Sequence, residues 1–246
     1  MGGLRVSSLS IKTRRQQILN NLSLDLYGTG KSYGLVGING AGKTTLMQCL
    51  AGAWPPTTGS VSIANEKLYR RKTHRVALRH VALMPQHVNF PAALTPHELV
   101  SYLCWLRGMN SSDAITASRQ VLHRVFLSDV SHIRLAKLSG GMLRRVALAQ
   151  AVAGRPAVIL LDEPSAGLDP EQRQIMLDLL SELDESLVLM SSHRMSDIKQ
   201  VTQQTLVIHH GSLIHHGPTF ELDQYDTTMP RTLEGGFLSL IRGKHR

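Results

Sequence analysis

The sequence predicts an α/β fold built on a mostly parallel core sheet, with ligands received at the carboxyl ends of its strands. Three observations predict it. Short apolar runs of strand character alternate with amphipathic helical stretches along the chain. One of these runs, "SYGLVG", passes directly into the glycine loop "GINGAGKTT", Gly37 to Thr45, and a helical stretch follows. Another, Val158 to Leu161, is apolar at four successive positions, as in a strand buried on both faces, and it ends on Asp162 and Glu163.

Taken in order, "ILNNLSLDL" alternates, so that Leu22, Leu24 and Leu26 share one face of a strand. "YGTGK" is a turn before the buried strand "SYGLVG". "KTTLMQCLAG" has helical composition and a glycine stop at Gly52. "PPTTG" turns the chain, "SVSIA" is a strand, and "HVALMPQ" is another that Pro85 ends. From Thr95 to Lys137 strand signals give way to a helical pattern, which reads as an inserted helical lobe. After "AVILLDEP", Asp169 caps and Pro170 starts a helix with an apolar stripe at Ile175, Leu179 and Leu183. "SLVLMSSH" returns to strand, and "TLVIHHGSLIHHG" reads as a hairpin turning at Gly211.

With 246 residues, the chain is long enough to bury roughly 70 to 75% of its unfolded surface, so no staples are required. Cys49 and Cys104 match no metal or redox spacing, and the expectation is two small core residues in a reducing compartment. The start "MGGLRVSSLS" has no signal-peptide apolar segment, and no run approaches the roughly eighteen residues that cross a bilayer. A cytoplasmic protein is expected. The formal charge of +9 fits nucleic acid, an anionic membrane face or an acidic partner, and equally a solvated basic surface.

Gly37, Asn39, Gly40, Ala41, Gly42, Lys43 and Thr44 fit the nucleotide P-loop. Glycines let backbone amides wrap phosphate oxygens, the lysine neutralises the β and γ groups, and the hydroxyl reaches magnesium. Asp162 and Glu163 arrive at the end of a buried strand, where two carboxylates require a cation. With Asp162 engaged by magnesium, Glu163 is left to polarise a water beside a γ-phosphate. In "KLSGGMLRRVALAQ", Ser139 stands at a helix N-terminus, where free amides and the helix dipole favour an anion. One chain therefore carries two anion-binding devices.

This set of motifs resembles the nucleotide-binding subunits of ATP-binding cassette (ABC) transporters from about Leu4 to Leu222. "GINGAGKTT" looks like Walker A, Gln86 the Q-loop, "LSGGM" the signature, "VILLDE" Walker B, "SAGLD" the D-loop and His193 the switch histidine. The resemblance implies a P-loop NTPase fold with an N-terminal antiparallel β-subdomain. It implies a core over 1–86 and 155–222, a helical subdomain over 87–154, and a tail over 223–246. Lys43, Thr44 and Thr45 would bind phosphates and Mg2+, Gln86 would complete the metal shell, and Ser139, Gly140 and Gly141 would contact the γ-phosphate of a second subunit's ATP. Glu163 would orient or deprotonate water, His193 would steady the γ-phosphate, and Asp169 would link the two sites. The implied partners are a second ABC subunit, a homodimer by expectation, and a separate transmembrane permease. No nucleic-acid partner is expected, and the chain would lie peripherally on the cytoplasmic face of the membrane.

Two departures stand out. Where the family places an aromatic residue to stack on adenine, the register puts Thr13, with Arg14 or Arg15 as planar substitutes. Met142 replaces the commoner glutamine after the signature glycines. "LSGGM" followed by arginines, "LMPQHVNFPAALTPHELVSYL" and "RTLEGGFLSLIRG" are similar to the ATPases of ABC-2-type exporters, which implies export of a drug, peptide antibiotic or other amphiphile. Import, and ATPases acting on nucleic acid or ribosomes, are the alternatives.

Three further features are read from the residues. His209, His210, His215 and His216 are expected to be exposed hairpin residues without a metal. Arg70, Arg71, Lys72, His74 and Arg75, with Arg242, Lys244 and Arg246, form basic surface that could rest near anionic lipid. Leu99, Tyr102, Leu103 and Leu106 are expected in the core of the helical lobe, and the family resemblance implies that the stretch from Phe90 to Leu94 lies beside the membrane partner.

Overall fold

A computed structural model describes residues 3–14 and 16–243; Arg15, Lys244 and Arg246, singled out above, lie outside them. The long strands β1 (Gly3–Lys12) and β2 (Gln17–Tyr27) pair antiparallel and, with β4 (Thr58–Ile63) and β5 (Glu66–Lys67), make a four-stranded sheet in the order β2-β1-β4-β5. The second sheet has six strands. It orders β10 (Ser212–Pro218), β9 (Gln204–His209), β3 (Ser32–Val36), β8 (Leu187–Ser191), β7 (Val158–Asp162) and β6 (Val81–Met84). All its pairings are parallel except the β9–β10 hairpin, which turns at Gly211.

The parallel strands are buried along their length because both faces are covered, and their side chains alternate between two hydrophobic clusters. Ile159 and Leu161 of β7 face a cluster with the helices α5 (Gly140–Val152), α6 (Pro170–Ser181) and α7 (Met195–Val201), whereas Leu160 faces β1, β2 and α1 (Lys43–Leu50). Cys49 and Cys104 are free and buried, one in each cluster.

Between β6 and β7 the chain forms α3 (Pro96–Leu106), α4 (Ser111–Arg124) and α5. A capping box starts α3, with Thr95 accepting from the Glu98 amide and Glu98 accepting from the Thr95 amide. Helix is not continuous to Lys137: after Arg124 the chain makes only two single 3₁₀ turns, Ser128–Val130 and Leu135–Lys137. The break falls at Phe126, which is left-handed at φ 56° and whose carbonyl, with that of Val125, is taken by Arg145 Nη1.

Two apolar stripes are shifted from the sequence reading. On α3 the covered face is Leu99, Val100 and Cys104, with Leu103 at its margin, while Tyr102 and Leu106 are each 53% exposed. α4 and α5 pack on α3 from one side only, so the second stripe, at Tyr102, Trp105 and Leu106, is left in solvent. On α6 the buried residues are Met176, Leu177, Leu179 and Leu180; Ile175 is half-buried and Leu183 lies beyond the helix end. The short helix α2 (His74–Arg79) takes in His74 and Arg75 of the basic run, whose Arg70, Arg71 and Lys72 lie in the turn before it, and α8 (Leu233–Gly243) closes the described chain. No helix among the described residues is long and apolar enough to cross a membrane.

Candidate functional site

The strand β3 ends at Val36, and the loop after it is shaped by three glycines that tolerate no side chain or need a left-handed backbone. A Cβ on Gly37 would stand 2.5 Å from the Ile208 carbonyl, and one on Gly42, at φ 102°, would stand 2.7 Å from Leu19 Cδ2. Gly40 also has positive φ, at 80°. The loop therefore lies close against β9 and β2, with the Ala41 amide donating to the Ile38 carbonyl at 3.1 Å, and residues Asn39 to Thr45 line a cavity. Helix α1 begins at Lys43, whose ammonium is buried and donates to the carbonyls of Gly37 at 2.7 Å and Ile38 at 3.4 Å. Burial lowers the pKa of Lys43, opposed by the negative charge of Glu163 and Asp162.

The cavity measures about 520 Å³ and is lined by Asn39, Gly40, Ala41, Gly42, Lys43, Thr44 and Thr45 of the loop, with Gln16, Ile18, Gln86, Glu163 and His193. Four separate strand ends converge there, as expected for a parallel sheet. Asp162 sits behind this wall, 3% exposed, at the last register position of β7 opposite Ser191 of β8. Ser191 is wholly buried; its Oγ donates to Asp162 Oδ1 at 2.6 Å and accepts the Glu163 amide at 3.0 Å. Glu163 itself is left-handed at φ 53°, a conformation uncommon for a side chain of this type. His193 Nε2 stands 3.0 Å from its Oε1, at ion-pair distance but outside hydrogen-bond geometry, so this buried oxygen keeps an open acceptor position. Burial raises the pKa of Glu163, against the opposing influence of His193 and Lys43.

Not every expected residue lines this cavity. Gly37 lies beneath the loop, where its carbonyl anchors Lys43. Ser139, Gly140, Gly141 and Asp169 are absent from the lining. Ser139 caps α5 by accepting the Met142 amide at 3.2 Å, and Asp169 caps α6 by accepting the Gln172 amide at 2.9 Å. A Cβ on Gly140 would meet nothing within 4 Å, so the α5 end is open to an incoming group. Thr13 and Arg14 do not line the cavity either. Thr13 is hydrogen-bonded to Gln16 between β1 and β2, and the cavity wall is made by Gln16 and Ile18 instead.

The oxygen donors of Thr44, Gln86 and Asp162, with no sulfur or imidazole among them, suit a hard cation such as Mg2+. The four hairpin histidines converge on no common point. His209 is buried rather than exposed because its strand is covered on both faces, and its ring lies against His210 at 4.1 Å; His215 is edge-on to Tyr225 at 5.4 Å; His216 Nε2 is 3.0 Å from Gln204 Oε1. A roomier cleft of about 900 Å³, which includes Lys31, Lys199, Phe220 and Arg231, lies between α7 and the C-terminal segment and holds none of the loop residues.

Ser191 and the network behind α6 and α7 were missed by sequence reasoning. Asp197, wholly buried, pairs with Arg173 and accepts from Ser165 Oγ at 2.5 Å, which ties the turn after Glu163 to both helices. Only the position of Ser191, two residues before His193 in "SSH", could have drawn attention to it.

A family profile described as "ABC transporter" matches residues 19–166. The uncharacterized ABC transporter ATP-binding protein YxlF of Bacillus subtilis is 33% identical over 231 residues, covering 94% of this chain and 76% of YxlF. The methionine import ATP-binding protein MetN of Brucella abortus is 32% identical over 209 residues, 83% of this chain and 56% of MetN. MetN of Mannheimia succiniciproducens is 33% identical over 214 residues, 85% of this chain and 62% of its own. The chain thus spans less than two thirds of these MetN proteins. A solved structure described as the ATP-binding subunit of an ABC transporter superposes with a TM-score of 0.85 over 96% of this chain and 98% of its own, at 22% identity, a likeness of fold.

Proposed function

The chain belongs to the ABC transporter family, and from that membership we propose that it is the ATP-hydrolysing subunit of a transporter, working as a dimer on the cytoplasmic face of a membrane beside a separate permease. The observation that carries this reading is the division of the site. Lys43, Glu163 and His193 share one cavity, while Ser139 to Gly141 of the same chain stand off it at an open helix end. A second copy placed head to tail brings its Ser139 end over the nucleotide held by the glycine loop of the first.

ATP is the substrate, and its phosphates rest in the loop from Asn39 to Thr45, with the Lys43 ammonium turned from its carbonyls to them. Thr44 and Gln86, with Asp162 behind them, would hold Mg2+, which would supply neutralisation of phosphate charge. The open Oε1 of Glu163 accepts a proton from a water aligned on the γ-phosphorus; the water oxygen bonds to phosphorus as the bond to the ADP oxygen breaks. Burial strengthens Glu163 as a base for that transfer. His193 steadies the γ-phosphate, and Asp169, at the start of α6, links the two sites. Ile18 and Gln16 stand where a base would rest.

Export of a drug, peptide antibiotic or other amphiphile is supported by "LSGGM" with its arginines and by the terminal stretch from Arg231 to Gly243. Import is favoured instead by the likeness to the MetN proteins. Glu163→Gln tests the common core: it should form a stable ATP-bound dimer with little turnover, and normal hydrolysis refutes the role of Glu163. The membrane subunit that purifies with the chain from detergent, followed by the direction of cargo movement in inverted vesicles, separates export from import; bound RNA or DNA in place of a permease refutes both.

A further inference from the structure

Arg144 ties the helix that opens at Ser139 to the end of its own β7. It lies in the second turn of α5, half-buried, and its Nη1 donates to the backbone carbonyl of Glu163 at 3.3 Å. That carbonyl also accepts the Ala166 amide at 3.1 Å, within the turn that leads to Asp169. The amide of Glu163 is held by Ser191, so Arg144 fixes the other side of a residue in a left-handed conformation. In such a conformation the direction of the carbonyl and that of the carboxylate are set together. The adjacent Arg145 faces elsewhere, toward the carbonyls of Val125 and Phe126.

A second contact joins the same two parts. A Cβ on Gly141 would stand 2.9 Å from Gln172 Oε1, so the first turn of α5 rests on the first turn of α6, which Asp169 caps. Movement of the Ser139 end is therefore passed by one charged hydrogen bond and one close packing contact to the catalytic end of the sheet in the same protomer.

We propose that Arg144 is a positioning residue that couples the two nucleotide sites: in each protomer it links the helix whose Ser139 end meets the partner's ATP to the Glu163 that serves the protomer's own ATP. The inference rests on the shared-site reading above. An anion at the Ser139 end fixes α5, Arg144 then holds the Glu163 carbonyl, and the carboxylate of that protomer is aligned. Filling one site accelerates the other.

The test uses the full chain with Arg144→Ala and Arg144→Lys, Mg·ATP turnover over a range of ATP concentrations, and ATP-driven dimerisation of Glu163→Gln with and without Arg144→Ala. Arg144→Ala should lower kcat roughly tenfold, the scale of one charge-assisted hydrogen bond, with KM within about twofold and a Hill coefficient reduced toward 1. Arg144→Lys should recover part of kcat, and the double variant should still dimerise with ATP. A Hill coefficient of 1 in the unsubstituted chain, unchanged kcat and cooperativity in Arg144→Ala, or no recovery by lysine overturns the proposal. Failure of Glu163→Gln to dimerise with ATP sinks the shared-site reading instead; a tenfold loss of kcat in Arg144→Ala would then still register the tie to Glu163.

Discussion

Replacing Ser191 by alanine tests the architecture of the catalytic end most directly. The Ser191 side chain is wholly buried and serves two groups that are themselves buried, the Asp162 carboxylate at 2.6 Å and the Glu163 amide at 3.0 Å. Loss of a hydrogen bond to a charged group costs about 1.5–3 kcal/mol, and a buried amide left without a partner costs a further ~1–3 kcal/mol. Slight relaxation of the turn offsets part of this, so the expected destabilisation is about 3 kcal/mol. Ser191→Ala should therefore lower the urea midpoint at unchanged slope, and kcat should fall because the left-handed Glu163 loses the hydrogen bond that holds its amide. Ser192→Ala is the control: Ser192 is also buried, but its Oγ accepts only the Arg194 amide, at 3.0 Å, so a loss of about 1 kcal/mol is expected there. Equal midpoints for the two variants, with kcat intact in Ser191→Ala, would refute the reasoning.

Three further outcomes are expected. Because burial raises the pKa of Glu163 and the carboxylate must be ionised to accept a proton, activity is lost as pH falls through that raised value. The acid limb of kcat/KM should thus lie above the ordinary glutamate value of about 4.3, and a limb at or below it contradicts the assignment. Asp197→Ala leaves Arg173 facing a buried, vacated site and should destabilise the chain by about 3 kcal/mol in chemical denaturation; a change under about 0.5 kcal/mol would show that the pair is dispensable. Alanine at the exposed His210 and His216 together should leave ATP turnover within twofold, with zinc chelators equally without effect; a large loss in either experiment would demand a metal there.

Features written in contiguous residues were legible in the sequence. The glycine loop, the buried run ending on Asp162 and Glu163, the caps at Ser139 and Asp169 and the Gly211 hairpin each depend on neighbours a few positions away, and the chain adopts them as read. Backbone freedom, strand burial and capping are local properties, so local sequence determines them.

Tertiary structure decided what depends on distant neighbours. Periodicity announced an apolar stripe on α3 without deciding which of two overlapping stripes α4 and α5 would cover, and Tyr102 and Leu106 fell on the open side. Ser191 reaches Asp162 across 29 positions only because β7 and β8 pair in parallel with those two residues in register. Gln16 and Ile18 wall the cavity in place of Thr13, which is hydrogen-bonded to Gln16 between β1 and β2. Arg144 finds the Glu163 carbonyl only once α5 is docked on the sheet. A hydrogen bond is short-ranged and directional, so its partner is chosen by the packing of whole elements, which no window along the chain contains.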